Sequence, residues 1–200
     1  MIYSMMTSYA HFDIEADGPS PASSNMISIA IVLTDSTGVV LDELLCDILP
    51  RPGYEGDVST LAWWQSDQNR AKEYKRILEN GVPAAEAMKR IHNKFQEWKK
   101  VSRVMWVARP AAYDWMWLKC YSDQYQPPNE PKLDIGFKAI CASTMVDIWK
   151  VQKGISTADA DIRFKEWGKE LKITHNALDD AHFQARIFHC LQNELTPAKN

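Results

Sequence analysis

Asp13 and Glu15 stand on either side of Ile14 in HFDIEADG (residues 11–18). In an extended strand alternate residues share a face. The two carboxylates therefore project together, and Phe12, Ile14 and Ala16 form the opposite, buried face. Their Cβ atoms lie roughly 6–7 Å apart at a rise of ~3.3 Å per residue. Ionised carboxylates ~5 Å apart repel by about 3 kcal/mol at an effective dielectric near 20. Solvent exposure, a raised pKa or a hard divalent cation would relieve that repulsion.

Two further segments could add to such chemistry. Asp114 lies in ARPAAYDWMWL (108–118) among aromatic and apolar neighbours. It falls in the first turns of a helix, where the macrodipole also favours a carboxylate. In THNALDDAHFQARIF (174–188), Asn176 can cap a helix, and Asp179 takes a capping-box-like place three residues on. Asp180 is left without a structural duty. Five helical residues turn ~500°, so His175 must sit in the loop before the cap if it is to reach one point with Asp180. His182 and His189 read as ordinary helix positions, and the spacing fits no common zinc pattern.

The elements that must position these groups follow from hydrophobic period. SYAHFDIE, MISIAIVL (26–33) and VVLDELLCDI are three strands, the last two joined at the turn DSTG (35–38). MISIAIVL is apolar on both faces and so central in a sheet. Ser59 or Thr60 caps a short helix carrying LAWW, and a second helix runs over 67–79. The next opens at Pro83 with an apolar stripe of Ala84, Ala87, Met88, Ile91, Phe95 and Trp98. RVMWVA (103–108) is a fourth strand, followed by a helix over 110–125, a Pro-rich loop at 126–132 and a short strand near 133–137. Helices over 141–151, 158–171 and 177–194 complete an α/β pattern with a mixed sheet.

Two hundred residues, 46% hydrophobic, suffice for one globular domain over 1–200. No apolar run approaches the ~20 residues of a membrane span. The N-terminus lacks the pattern of a secretion signal, so a cytoplasmic location is expected. Cys46, Cys120, Cys141 and Cys190 form no C-x-x-C pair and read as reduced thiols. A net charge of −3 argues against bulk electrostatic binding to duplex DNA.

The ordered motifs FDIEADG, ARPAAYDWMWL and HNALDDA, spanning residues 12–181, together resemble the DEDDh branch of the DnaQ-like 3′–5′ exonucleases. STLAWWQSDQ (59–68) adds a finer likeness to the RNase AS type of exoribonuclease and the phage exonuclease A type. The resemblance implies an RNase H-like fold: a mixed five-stranded sheet, its first three strands antiparallel, flanked by helices. It implies that Asp13, Glu15, Asp114 and Asp180 hold two Mg²⁺ ions, which Mn²⁺ can replace, and that His175 is the general base. The expected substrate is the 3′ end of a single-stranded nucleic acid, cut to nucleoside 5′-monophosphates, with RNA slightly favoured over DNA. Many family members carry Thr where Ala16 stands, so backbone groups around Asp17 and Gly18 would hold the terminal nucleotide. Trp63 or Trp64 would stack on a base, one pointing outward and one inward. Lys89, Arg90, Lys94, Lys99 and Lys100 could guide a backbone or form a solvated helix face. Several relatives of this type form homodimers, so that state stays open. Two rival readings are a catalytically silent nucleic-acid-binding module and a hydrolase of small phosphodiesters or short oligonucleotides.

Overall fold

The computed structural model describes residues 6–125, 135–169, 171 and 173–196. Its five strands are β1 (Thr7–Ala16), β2 (Met26–Thr34), β3 (Val40–Asp47), β4 (Arg103–Ala108) and β5 (Ile140–Cys141), in the sheet order β3-β2-β1-β4-β5. β1 pairs antiparallel with β2, and β2 with β3, whereas β4 runs parallel to β1 and to β5. This is the mixed sheet the sequence implied.

Strand alternation decides what each face carries. Phe12, Ile14, Ile29 and Ile31 pack against α3 (Ala84–Val101) and α4 (Ala111–Gln124) in the largest core. The expected α3 stripe from Ala84 to Trp98 is buried throughout. On the opposite face Ala30 and Val32 meet Ala177, Ala181 and Ala185 of α7 (Ala177–Leu195). Alanines at this contact bring the α7 backbone close to the sheet, so side chains on the Asp13 face of β1 lie under the helix. α5 (Ala142–Lys153) and α6 (Thr157–Gly168) cover the outer side of α7 through Trp149, Phe164, Phe183 and Ile187.

Local differences from the sequence reading have local causes. The helix carrying the tryptophans, α1 (Val58–Gln65), is capped by Asp57, whose carboxylate accepts from the Thr60 amide; Ser59 and Thr60 donate their hydroxyls to the same group. α2 (Gln68–Asn80) is capped by Asp67. Pro110 is itself the cap residue of α4. The short strand expected near 133–137 is instead β5 at Ile140–Cys141, and residues 135–139 are not strand. β5 pairs only with Val107 and Ala108, too short for any hydrophobic period to show. Residues 126–134, including the Pro-rich loop, lie outside the described residues. Cys46, Cys120, Cys141 and Cys190 are all free thiols. Among the described residues no helix is long and apolar enough to cross a membrane.

Candidate active site

α7 runs antiparallel to β1 directly above it. Four helical residues advance about 6 Å and two strand residues about 6.6 Å, so steps of four on α7 stay in register with steps of two on β1. The contacts follow that register. Asp180 faces Glu15, Gln184 donates from Nε2 to Asp13 Oδ1, the Phe188 ring lies 5.1 Å from that of His11, and Gln192 Nε2 donates to the Tyr9 hydroxyl at 3.1 Å. Two of these four pairs carry the acids. Asp114 enters from the first turn of α4, at the end of β4, the parallel neighbour of β1.

His175 sits in the loop before the cap, as the geometry required, with φ at 59°. That left-handed conformation costs an L-residue about 1–2 kcal/mol. It is held from the next turn: the Thr174 amide donates to Asp180 Oδ1 at 2.9 Å, and Asn176 Oδ1 accepts from the Leu178 and Asp179 amides. Asp179 does not close a capping box; its carboxylate accepts from the Thr174 hydroxyl at 2.8 Å. The result brings ligand atoms of Glu15, His175 and Asp180 within 4.8 Å of one another.

The electrostatics are unfavourable for the protein alone. Glu15, Asp114 and Asp180 are buried and Asp13 half-buried. Burial drives the Asp13 carboxyl well above the ordinary range, and Glu15, Asp114 and Asp180 push it further. Glu15 is raised by burial first, then by Asp180, Glu73 and Asp114. Burial lifts Asp114 to about 8, opposed by the backbone amides of Ile14 and Arg109, and lifts Asp180 to about 6, opposed by those of Thr174 and His175. Among the described residues Asp114 Oδ2 is buried with no hydrogen-bond partner. A hard divalent cation answers both features, supplying positive charge to the crowded acids and a partner to the orphaned oxygen. Asp13, Glu15, Asp114 and Asp180 therefore fit a metal site.

This crowding has a measurable consequence. A carboxyl whose folded pKa exceeds its unfolded value binds more protons in the folded state. Its stabilising contribution is complete below the unfolded pKa and is lost as pH rises toward the folded one. For Asp114 that window runs from 3.8 to about 8. Metal-free protein is expected to lose melting temperature relative to an Asp114→Asn variant as pH rises from about 5 to 8. Each kcal/mol corresponds to about 2–4 °C at this chain length. Mg²⁺ at pH 8 should restore the wild type and not the variant. Calorimetry with and without chelator reads this directly, and parallel melting curves would contradict the strain.

The expected substrate contacts divide. Trp64 is fully buried and its Nε1 donates to the Ala16 carbonyl at 3.0 Å, so it braces the end of β1 and offers no face to a base. Trp63 is 38% exposed, with its ring centre 4.8 Å from that of His175 and Arg70 Cζ 4.3 Å above it. One tryptophan points outward and one inward. The Asp17 amide donates to the Asn25 carbonyl, and its carboxylate accepts from Asn25 at 2.6 and 2.7 Å, so neither group is free for a nucleotide. At Gly18 an added Cβ would lie 2.0 Å from Ser24 Oγ, so only glycine fits there. Arg90 and Lys94 pair with Glu86 and Asp42. Lys99 and Lys100 end α3 beside the start of β4, at the opposite end of the sheet from the acids.

Two residues of the site went unread in the sequence. Gln184 holds Asp13 and lies four residues after Asp180, a helical spacing that points both at the same strand. Glu73 of α2 accepts from Asn176 Nδ2 at 2.9 Å and from Arg76, tying α2 to the cap that sets His175 and Asp180. Nothing in the sequence signals Glu73.

The sequence profile of one family, the 3'-5' exoribonuclease Rv2179c-like domain, matches residues 8–192. No curated protein matches the chain by sequence. Among solved structures, exonuclease I from Methylocaldum szegediense shares the fold at a TM-score of 0.70 and 14% identity, over 96% of this chain and 41% of its own. E. coli exonuclease I in complex with a dA16 oligonucleotide gives 0.67 and 16%, over 94% and 41%. The nuclease domain of 3'hExo, a DEDDh family member bound to rAMP, gives 0.62 and 12%, over 97% and 94%. The chain thus spans 41% of these exonuclease I chains but nearly all of the 3'hExo domain.

Proposed function

The chain belongs to the 3'-5' exoribonuclease Rv2179c-like family; from that premise we propose that it is a 3′–5′ exonuclease that removes nucleoside 5′-monophosphates from the 3′ end of single-stranded RNA. Asp13, Glu15, Asp114 and Asp180 hold two Mg²⁺ ions in this reading. The observation that carries it is the meeting of four carboxylates from β1, α4 and α7 beside His175, with one buried acid oxygen left unpartnered. The 3'hExo domain, with the same fold, was solved with rAMP, a molecule of the proposed product class.

When bound, such a metal pair supplies a lowered pKa to water and stabilises the attacking and leaving oxygens. The chain's own residues do the rest. His175 is the base. Burial first, and the nearby Arg70 charge second, lower its pKa below 6.5, so at neutral pH the imidazole is neutral and able to accept a proton. Its left-handed backbone and the capped helix end fix it against Glu15 and Asp180. Trp63 offers an outward face to the terminal base, held in place by Arg70 and His175. Ala16 gives the sugar no side-chain hydrogen bond.

Trp63→Ala is expected to raise KM about tenfold, because stacking contributes ~1–3 kcal/mol per base, while Trp63→Phe keeps most of the affinity. Steady-state kinetics on one oligonucleotide checks this. An equal fall in kcat for both variants would assign Trp63 to packing.

A 5′-labelled single-stranded RNA and the DNA of the same sequence, each with Mg²⁺ or chelator, test the function. The expected result is a metal-dependent ladder of 3′ shortening, faster on RNA. Binding without shortening would instead make the chain a silent nucleic-acid-binding module. Cleavage of dinucleotides alone would make it a small-phosphodiester hydrolase.

A further inference from the structure

Arg109 follows β4 directly, and with Asp13, Asp180, Phe183 and Gln184 it lines a cavity of about 230 Å³. The side chain is half-buried, and its Cζ lies 4.9 Å from the centre of the Phe164 ring. Among the described residues it forms no ion pair; Asp161 acts on it only through space. Burying an arginine is costly unless an anion meets it, so partly buried guanidinium groups are ordinarily paired. His175 opens instead into a separate cavity of about 800 Å³, lined also by Arg70 and Glu73. The acid cluster therefore has a histidine flank and an arginine flank.

We propose that Arg109 grips the backbone phosphate one nucleotide 5′ of the scissile phosphate. This rests on the exonuclease reading. A 3′-terminal nucleotide ends in a hydroxyl, so any phosphate beyond the scissile one must lie on the 5′ side. The scissile phosphate belongs at the four acids. The next one needs a cation close by, outside the acid cluster, and Arg109 is the unpaired cation in the cavity that continues from Asp13 and Asp180. Its planar fork suits two phosphate oxygens at once, and the Phe164 face holds that plane in place. Arg109 thereby sets a minimum length for efficient substrates: a chain with two phosphodiesters reaches it, and a chain with one does not.

The test compares a dinucleoside monophosphate, which has only the scissile phosphate, with the trinucleotide of the same 3′ sequence. Wild-type protein should prefer the trinucleotide, and Arg109→Ala should reduce that preference about tenfold, mainly through KM. A trinucleotide with a neutral methylphosphonate at the upstream linkage should lose as much with the wild type and little more with Arg109→Ala. The wild-type half of this arm needs no variant to fold, and an undiminished rate there would also overturn the proposal. The salt dependence of log(kcat/KM) should flatten by about 0.7 on the longer substrate. Equal losses on both substrates, or full additivity of the methylphosphonate and Arg109→Ala, would overturn the proposal. If the wild type cleaves neither substrate, the exonuclease reading fails; if it cleaves both and Arg109→Ala matches it, only this inference fails.

Discussion

Asp13→Asn is expected to lower kcat on a single-stranded RNA by at least about 10³-fold and to raise the melting temperature of the metal-free protein. Both follow from one feature. Asp13 occupies the middle of the cluster: its carboxyl is pushed upward by burial first, then by Glu15, Asp114 and Asp180 together. Removing one charge relieves that repulsion, as in other sites whose function is held against stability. In the proposed reading the same change takes away a carboxylate ligand to the metal ions, and metal catalysis accounts for several kcal/mol of transition-state stabilisation. At about 1.4 kcal/mol per factor of ten, that loss exceeds three decades. The asparagine keeps the shape of the side chain and can still meet Gln184, which donates to Asp13 Oδ1 in the wild type. Activity and metal-free stability should therefore move in opposite directions. A variant with near-normal turnover, or one that simply unfolds, would contradict this account.

His175→Ala is expected to lower kcat by about 10²–10⁴, the range of a general base, while leaving metal affinity within a few-fold of the wild type. The separation is possible because the acids do not depend on the imidazole for their placement. Asp180 is fixed by the Thr174 amide at 2.9 Å, and the helix cap is Asn176. Added imidazole should return part of the lost rate, since the cavity beside Trp63 opens to solvent through the 800 Å³ pocket. Single-turnover kinetics with a parallel Mn²⁺ titration resolves the two readouts. Equal losses of rate and metal affinity would make His175 a ligand in place of a base.

The shared face of Asp13 and Glu15 and the places of His175 and Asp180 were legible because each rests on a local rule, whereas the five-stranded sheet and the joint role of the acids were implied by the family resemblance. Strand period puts Asp13 and Glu15 on one face and Phe12 and Ile14 on the other. The turn arithmetic of a helix forces His175 out of α7 and leaves Asp180 inside it. The family profile over residues 8–192 agrees with the motifs read at 12–181. Long-range side-chain bonds were not legible. Asp17 looked available to a nucleotide, yet Asn25, eight residues on, takes its carboxylate and its amide. Glu73 reaches Asn176 across 103 residues. Asp57 won the α1 cap from Ser59 and Thr60 because its carboxylate accepts from both hydroxyls and an amide at once. Arg109 carried no signal, since its proposed role depends on the lack of an ion-pair partner among the described residues, which only the fold displays.

Diffraction from crystals soaked in Mn²⁺, with data collected at the manganese absorption edge, tests the central claim most directly. The account predicts two anomalous peaks in the cleft, in contact with the carboxylates of Asp13, Glu15, Asp114 and Asp180. No peak there, or ions bound only at other acids, would contradict it.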